Sequence, residues 1–437
     1  MKYGLIGEKL GHSFSVPIHK AFHNPEYGLK EIPKDEVDAF MEAKDFRGLN
    51  VTIPYKQTVM PHCILDDAAK EIGAVNTIVN KDGVLYGYNT DAFGLSAMMD
   101  LCMGEENVDF AGKNAVIIGA GGTAKTATYV LKSKHVKSVT ILARNIEKAT
   151  GEMDGKDVLI ASSVETPEEI LADTDILVNT TPVGMFPNAD AVPVDLDKFR
   201  NLSCVFDVVY NPLCTKLVAK AREKKIPAAN GLFMLVMQAL KAELLFREAN
   251  VTGYFNQGNP TFSDGKKVYE DLLNSLTNVV LIGMPGCGKS TLGQKLATVL
   301  SRDLIDTDEE FIKNYGISPA ECITASGEDE FRKKETEIVK RIAAKNGLII
   351  ATGGGVVTRE ENISALKQNG KIVYLKRNIG NLSSEGRPLS QGDGAIEKLF
   401  EKRKALYENS CDYVAEIKEN NPDGTADEIL KELGLKQ

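Results

Sequence analysis

The chain has 437 residues, 43% of them hydrophobic and 26% charged, with 52 Lys and Arg against 61 Asp and Glu for a formal net charge of −9. This is the composition of a folded globular protein, which excludes collagen-like, coiled-coil and disordered readings. The acidity argues against a coat for nucleic acid or a membrane surface, but leaves room for a local basic pocket around a phosphate. At about 150 residues per domain the length predicts about three structural units.

No apolar run approaches the roughly 18 residues of a membrane span. Met1 to Ser13 holds no apolar stretch with a cleavage site behind it, so no secretory signal is expected. Triplets such as Asn50-Val51-Thr52 then carry no glycosylation meaning. The seven cysteines (Cys63, Cys102, Cys204, Cys214, Cys287, Cys322 and Cys411) are odd in number and include no C-x-x-C. Reduced thiols in a cytoplasm are expected, rather than disulfides or a structural zinc site. The five histidines, His12, His19, His23, His62 and His135, all lie in the first third. Chemistry beyond residue 135 must use other groups, which rules out a Ser-His hydrolase there.

In chain order, continuous apolar runs predict buried parallel strands over 115–118, 139–143, 176–178 and 205–209, then over 279–282, 348–351 and 372–375, with helical patterns between them. That alternation predicts an α/β protein with doubly wound sheets. The stretch around 250–277 is punctuated by Asn250-Val251-Thr252-Gly253 and Gln257-Gly258-Asn259-Pro260, and the main boundary is expected there.

The strand over 115–118 runs into Gly119-Ala120-Gly121-Gly122-Thr123-Ala124, a fit to G-x-G-x-x-[GA] between a strand and a helix. The glycines allow a tight turn and close approach of a pyrophosphate to a helix N-terminus. The next strand ends at Ala143-Arg144-Asn145, with Lys148 a turn later and no acidic residue to hold a ribose hydroxyl. Two cations at that corner favour NADP over NAD, the plainer reading being solvated surface charges. The strand over 279–282 runs into Gly283-Met284-Pro285-Gly286-Cys287-Gly288-Lys289-Ser290, which meets G-x-x-x-x-G-K-[ST] at every fixed position and is followed by Thr291 on a predicted helix. Its N–H groups would cradle phosphates of ATP, Lys289 would neutralise charge and Ser290 would ligate Mg²⁺. Cys287 reads as a small filler.

Residues 1–249 resemble shikimate dehydrogenase. The matching segments are Gly11-His12-Ser13-Phe14-Ser15, Asn50-Val51-Thr52-Ile53-Pro54-Tyr55-Lys56, Gly73-Ala74-Val75-Asn76-Thr77, Asn89-Thr90-Asp91, the Gly119 turn, Asn179-Thr180-Thr181-Pro182, Asp207-Val208-Val209-Tyr210-Asn211-Pro212 and the run from Gly231 to Gln238. Residues 278–437 resemble shikimate kinase through the P-loop, Asp306-Thr307-Asp308, Phe331-Arg332-x-x-Glu335, Gly353-Gly354-Gly355, Arg387-Pro388-Leu389 and Arg403. The resemblance implies a two-lobed dehydrogenase, with a shikimate-binding lobe over 1–95 plus 231–250 and a Rossmann-type NADP lobe over 96–230. A linker over 251–277 and a P-loop kinase domain with a parallel sheet over 278–437 would follow.

The resemblance also implies roles. Lys56 is the acid/base and Asp91 orients it. Ser13 and Ser15 hold the substrate carboxylate, and Thr52, Asn76, Tyr210 and Gln238 complete a polar cage. Val208 and Gly231 join the Gly119 turn at the cofactor. His12 and His19 receive no role. In the kinase half Arg332 and Arg403 bind the ring carboxylate through forked donors. Asp308 holds the reactive hydroxyl, Asp306 acts near Mg²⁺, and the Gly353 triplet brings backbone N–H groups to the substrate. Arg387, in a lid-like segment over 380–394, stabilises the transferring phosphoryl. Two positions depart from the family pattern. Val16 stands between Ser15 and Pro17, and Ala143-Arg144-Asn145 replaces the usual Asn-Arg-Thr. The implied activities are NADPH-dependent reduction of 3-dehydroshikimate and Mg·ATP-dependent phosphorylation of shikimate on one chain. The ligands expected are small molecules, with no nucleic acid and no membrane. The alternatives are a quinate preference in the first half and a metabolite-sensing regulator without turnover.

Overall fold

The computed structural model describes residues 1–11, 13–104, 109–249, 258–381, 395–417 and 421–435. The chain divides into two compact units, Met1–Asn211 with Thr215–Asp271, and Pro212–Cys214 with Leu272–Gln437.

The first unit holds two six-stranded sheets. One contains β1 (Tyr3–Gly7), β2 (Tyr27–Glu31), β3 (Gly48–Val51), β4 (Ile64–Leu65), β5 (Thr77–Lys81) and β6 (Val84–Tyr88), in the order β2-β1-β3-β5-β6-β4. It is mixed rather than wholly parallel, because β5 runs antiparallel to both β3 and β6. Asp82 and Gly83, with φ of 51° and 85°, make the tight turn between β5 and β6, and an Asp-Gly pair adopts that backbone readily.

The other sheet contains β7 (Asn114–Ile118), β8 (Ser138–Ala143), β9 (Leu159–Ser162), β10 (Ile176–Asn179), β11 (Cys204–Asp207) and β12 (Ala228–Asn230), all parallel, in the order β12-β11-β10-β7-β8-β9. This is the doubly wound order, with the switch point between β7 and β10. The strand expected over 205–209 ends early. The Asp207 carboxylate accepts from Val209 N at 3.1 Å, which turns the chain out of the sheet before Val208.

Helix Leu232–Ala249 is apolar on nearly every side and packs on helix Thr90–Met103. The two come close because Gly94 has no side chain; a Cβ there would lie 2.4 Å from the Met234 carbonyl oxygen. Much of the expected linker is also helical. Helix Phe262–Leu276 has 15 residues, and Thr261 and Asp264 bond reciprocally at its start. Phe262 and Tyr269 both meet the Phe233 ring edge-on.

The second unit holds β13 (Asn278–Ile282), β14 (Leu304–Asp306), β15 (Ile349–Ala351), β16 (Gly370–Lys376) and β17 (Tyr413–Glu416), all parallel, in the order β14-β15-β13-β16-β17. Its core lies on both faces of that sheet, as continuous apolar strands require. Among the described residues no helix is long and apolar enough to cross a membrane.

Candidate active sites

In the first unit a cavity of about 310 Å³ opens between the mixed sheet and the start of helix Gly122–Ser133. Asn89 caps helix Thr90–Met103 by accepting from Ala92 N, which sets Asp91 in the first turn. Lys56 follows β3 and is pinned by a bond from Val75 N to its carbonyl. The two side chains meet at 2.5 Å, Lys56 Nζ donating to Asp91 Oδ2, and are 24% and 16% exposed, so the pair faces the cavity without being sealed from it. Ser13 Oγ and Ser15 Oγ lie 3.0 Å apart and line the same cavity. Asn76 Oδ1 is consumed by Thr90 N at 2.7 Å, leaving its amide nitrogen to act in the cavity. Thr52, Tyr210 and Gln238 complete the lining. Burial pushes the Tyr210 hydroxyl up, so it stays protonated at neutral pH and can donate.

The cofactor turn sits at the switch point. Gly119 has φ +100°, and a Cβ there would lie 2.8 Å from Thr181 Cγ2. Gly121 precedes the helix with no side-chain cap, and nothing approaches a Cβ built at Gly121 or Gly122 within 4 Å. This open, uncapped helix start fits a pyrophosphate. Gly122, Thr123, Val208 and Gly231 also line the cavity, so the turn and the polar cage share one space. Gly231 must be glycine, since a Cβ would fall 2.1 Å from Val208 O. At the far corner Arg144 and Lys148 are exposed. Asn145 is a helix cap, its side chain accepting from Lys148 N at 2.8 Å, so its amide oxygen is already committed.

In the second unit a cavity of about 530 Å³ is lined by the P-loop, Asp306, Asp308, Arg332, Glu335, Gly353 to Gly355 and Arg403. Lys289 Nζ donates to the carbonyls of Gly283 and Met284, both at 3.0 Å. Ser290 Oγ donates to Asp306 Oδ2 at 2.9 Å, so a hydroxyl and a carboxylate stand together beside the loop. Two oxygen ligands with the rest left to phosphates and water suit Mg²⁺. Asp306 also caps helix Thr307–Tyr315, which places Asp308 in its first turn. Arg332, buried on helix Glu328–Ala343, forks to Glu335 at 2.8 Å and Glu328 at 3.0 Å. Burial holds the Glu335 carboxyl above the usual carboxylate range, against the pull of Arg332. Arg403 and Tyr407 both donate to Gly354 O, at 3.2 and 2.5 Å.

The glycine triplet is packed from three sides. A Cβ at Gly353 would meet Asp308 Oδ1 at 2.8 Å, one at Gly354 would meet Pro285 at 2.7 Å, and one at Gly355 would meet the Arg332 guanidinium at 2.1 Å.

Two expected phosphate contacts do not line this cavity. Cys287 is 1% exposed and belongs to the core beneath the loop. Gly283 lies against β16, where a Cβ would be 2.7 Å from Leu375 O. His12 and Arg387 lie outside the described residues. His19 is fully buried, 2.6 Å from Glu243, with no access to the cavity. Among the cavity residues without a role in the sequence reading are two that carry polar side chains within the family motifs. Asn50 lines the first cavity and Glu335 the second. Both sit inside quoted motifs, so the signal was there but the pattern did not separate them from their neighbours.

Comparison with known proteins gives matches over most of the chain. A family model described as the shikimate dehydrogenase substrate binding domain matches residues 5–78. A shikimate / quinate 5-dehydrogenase model matches 103–184, and a shikimate kinase model matches 285–434. The shikimate dehydrogenase (NADP(+)) of Clostridium perfringens is 38% identical over 258 residues, 57% of this chain and 93% of that protein. That of Clostridium beijerinckii is 37% identical over 266 residues, 59% of this chain and 95% of the relative. Among solved structures, a chorismate mutase/shikimate 5-dehydrogenase fusion protein from Clostridium acetobutylicum shares 34% identity with a TM-score of 0.52, covering 62% of this chain and 96% of its own. A shikimate dehydrogenase solved in complex with NADP+ shares 32% identity at the same TM-score, covering 62% of this chain and 94% of its own.

Proposed function

This chain belongs to the shikimate dehydrogenase family and carries a shikimate kinase domain after it, and from that premise we propose two consecutive reactions on one polypeptide: reduction of 3-dehydroshikimate to shikimate with NADPH, and phosphorylation of shikimate to shikimate 3-phosphate with Mg·ATP. One observation carries the reading. Each cavity joins a glycine-built phosphate cradle to a polar set suited to the same carboxylated ring.

When bound, NADPH supplies a hydride and Mg·ATP a phosphoryl group; the side chains supply the rest. In the first site Ser13 and Ser15 hold the carboxylate end of the ring. Lys56 stands within reach of the carbonyl oxygen and delivers its proton there, while the Asp91 carboxylate at 2.5 Å keeps the ammonium aimed. The Gly119 turn and Arg144 grip the cofactor phosphates. In the second site Arg332 and Arg403 hold the carboxylate, and Asp308 orients the ring hydroxyl and takes its proton. Lys289 leaves its loop carbonyls for the phosphates, and Ser290 with Asp306 holds the metal. We place the protein in the cytoplasm, where its seven free cysteines stay reduced.

The test is a pair of variants of the full chain. Lys56→Ala should lower reduction, followed at the nicotinamide absorbance band, by 10²-fold or more, the usual scale of a lost general acid, roughly. Its shikimate-dependent ADP release should be unchanged. Lys289→Ala should do the converse. A folded variant that lost both activities would overturn the two-site reading.

A further inference from the structure

The parallel pairing of β14 with β15 is carried past the strand ends by a side chain that has no place in either reaction. Within the pair, Ile349 N donates to Asp303 O at 2.9 Å, and the register ends with Asp306 against Ala351. Gly353 and Thr307 stand at the same offset of 46 residues, so a continued ladder would send Gly353 N to the Thr307 carbonyl. Thr307 is instead the first residue of helix Thr307–Tyr315, and its carbonyl belongs to the helix. The Thr307 hydroxyl takes the bond in its place, accepting from Gly353 N at 2.8 Å. Thr307 is buried, while Asp306 and Asp308 on either side of it line the cavity.

Both ends of this bond touch the phosphoryl-transfer site. On the helix side, Asp306 accepts from Ser290 Oγ and from Asp308 N, each at 2.9 Å. On the glycine side, a Cβ at Gly353 would lie 2.8 Å from Asp308 Oδ1, so the Asp308 carboxylate rests against the Gly353 backbone. Thr352, one residue earlier, is fastened the other way. Its N and Oγ1 both donate to Leu281 O, at 3.2 and 2.9 Å, and Leu281 lies on β13, the strand that leads into the P-loop. Gly353 has no side chain and the widest backbone freedom of any residue. It is held between two threonines, one tied to the P-loop strand and one seated between the two aspartates.

We propose that Thr307 is a positioning residue of the kinase site, its hydroxyl holding Gly353 N so that the Asp308 carboxylate is aimed at the acceptor hydroxyl of the ring. The proposal rests on the shikimate kinase reading of that cavity. Phosphoryl transfer depends on alignment of the attacking oxygen, so a loosened aspartate costs turnover. The grip on the nucleotide comes from the P-loop, where Lys289 is held by the carbonyls of Gly283 and Met284 and not through Thr307. It should survive the loss of this bond.

The experiment uses the full chain carrying Thr307→Val, which keeps the shape and removes the acceptor. The kcat of shikimate-dependent ADP release should fall about tenfold, the scale of one lost buried hydrogen bond. The KM for ATP, and the reductase activity of the same preparation, should stay within about twofold of the parent. Thr307→Ser, which restores the hydroxyl, should return kcat to within about twofold of the parent. An unchanged kcat in the valine variant, a matching rise in the KM for ATP, or a serine variant as slow as the valine one would each overturn the proposal. If Thr307→Val does not fold, Thr307→Ala carries the test, since it leaves room for a water to take the Gly353 N–H. Its kcat should fall about threefold with the KM for ATP unmoved, and parental kcat would sink the idea. A parent chain with no shikimate-dependent ADP release at all would refute the kinase reading, and the proposal with it.

Discussion

Single residues in this protein are set by what surrounds them more than by their type. Asp207 ends β11 fully buried, accepting from Asn179 Nδ2 at 2.9 Å, Val209 N at 3.1 Å and Thr215 Oγ1 at 2.7 Å. Burial nevertheless pushes its carboxyl up to about 6, the three bonds only partly offsetting the loss of water. The folded state therefore binds this proton more tightly than the unfolded chain does. Its contribution to stability is fully present below the ordinary aspartate value near 4 and is lost as pH rises through about 6, on the order of 3 kcal/mol in total. Asp207→Asn should melt several degrees above the parent at pH 7.5 in scanning calorimetry, and the gap should narrow by about half at pH 5 and close only near pH 4. A gap that stayed constant across that range would show that another group sets the pH dependence. Arg144 illustrates the opposite case. It is exposed at the end of β8, and its partner at the corner, Asn145, is spent as a helix cap. Arg144→Ala should therefore raise the KM for NADPH about tenfold and leave that for NADH unchanged, as loss of a phosphate contact implies. Equal effects on the two cofactors would place the 2′-phosphate elsewhere.

Elements deliver the chemistry by their ends and faces. Helices Thr90–Met103 and Thr307–Tyr315 each put an aspartate in the first turn, behind a side-chain cap from Asn89 or Asp306. Helix Glu328–Ala343 brings Arg332 beneath the glycine triplet so closely that position 355 has no room for a methyl group. Gly355→Ala should cost about 1–3 kcal/mol as an overpacking substitution and displace the guanidinium. Kinase activity should fall at least tenfold, by loss of a charged contact, with reduction by the first unit intact. Retention of full kinase activity would mean that the arginine does not hold the substrate. Much of this was legible beforehand. Phosphate cradles announce themselves because glycine spacing, strand and helix must coincide. The mixed sheet was not foreseen, although Asp82-Gly83 marks its turn. The helix over Phe262–Leu276 was hidden by its polar surface, and only Thr261, Asp264 and the aromatic pair Phe262 and Tyr269 betray it. The buried tie between His19 and Glu243 joins residues 224 apart in sequence, a distance over which periodicity carries no information.

On the scale of the whole molecule, the two reactions share a chain but no side chain. All five histidines fall in the first unit, and the second lines its site with carboxylates, lysine, arginines, hydroxyls and glycine backbone, without a histidine. A mixture of Lys56→Ala and Lys289→Ala chains should consequently convert 3-dehydroshikimate to shikimate 3-phosphate again, after a lag while shikimate accumulates in solution. Failure of the mixture, with each remaining activity intact alone, would show that shikimate does not travel through solvent. The triplet Gly353 to Gly355 has a longer reach. Because its three positions are crowded by Asp308, Pro285 and Arg332 in turn, this backbone is constrained by three separate parts of the kinase at once. Over evolutionary time a bulkier residue at one of these positions can survive only with a smaller or differently placed neighbour. Position 353 should therefore covary with 308, 354 with 285 and 355 with 332, and the site should drift as linked pairs rather than one residue at a time.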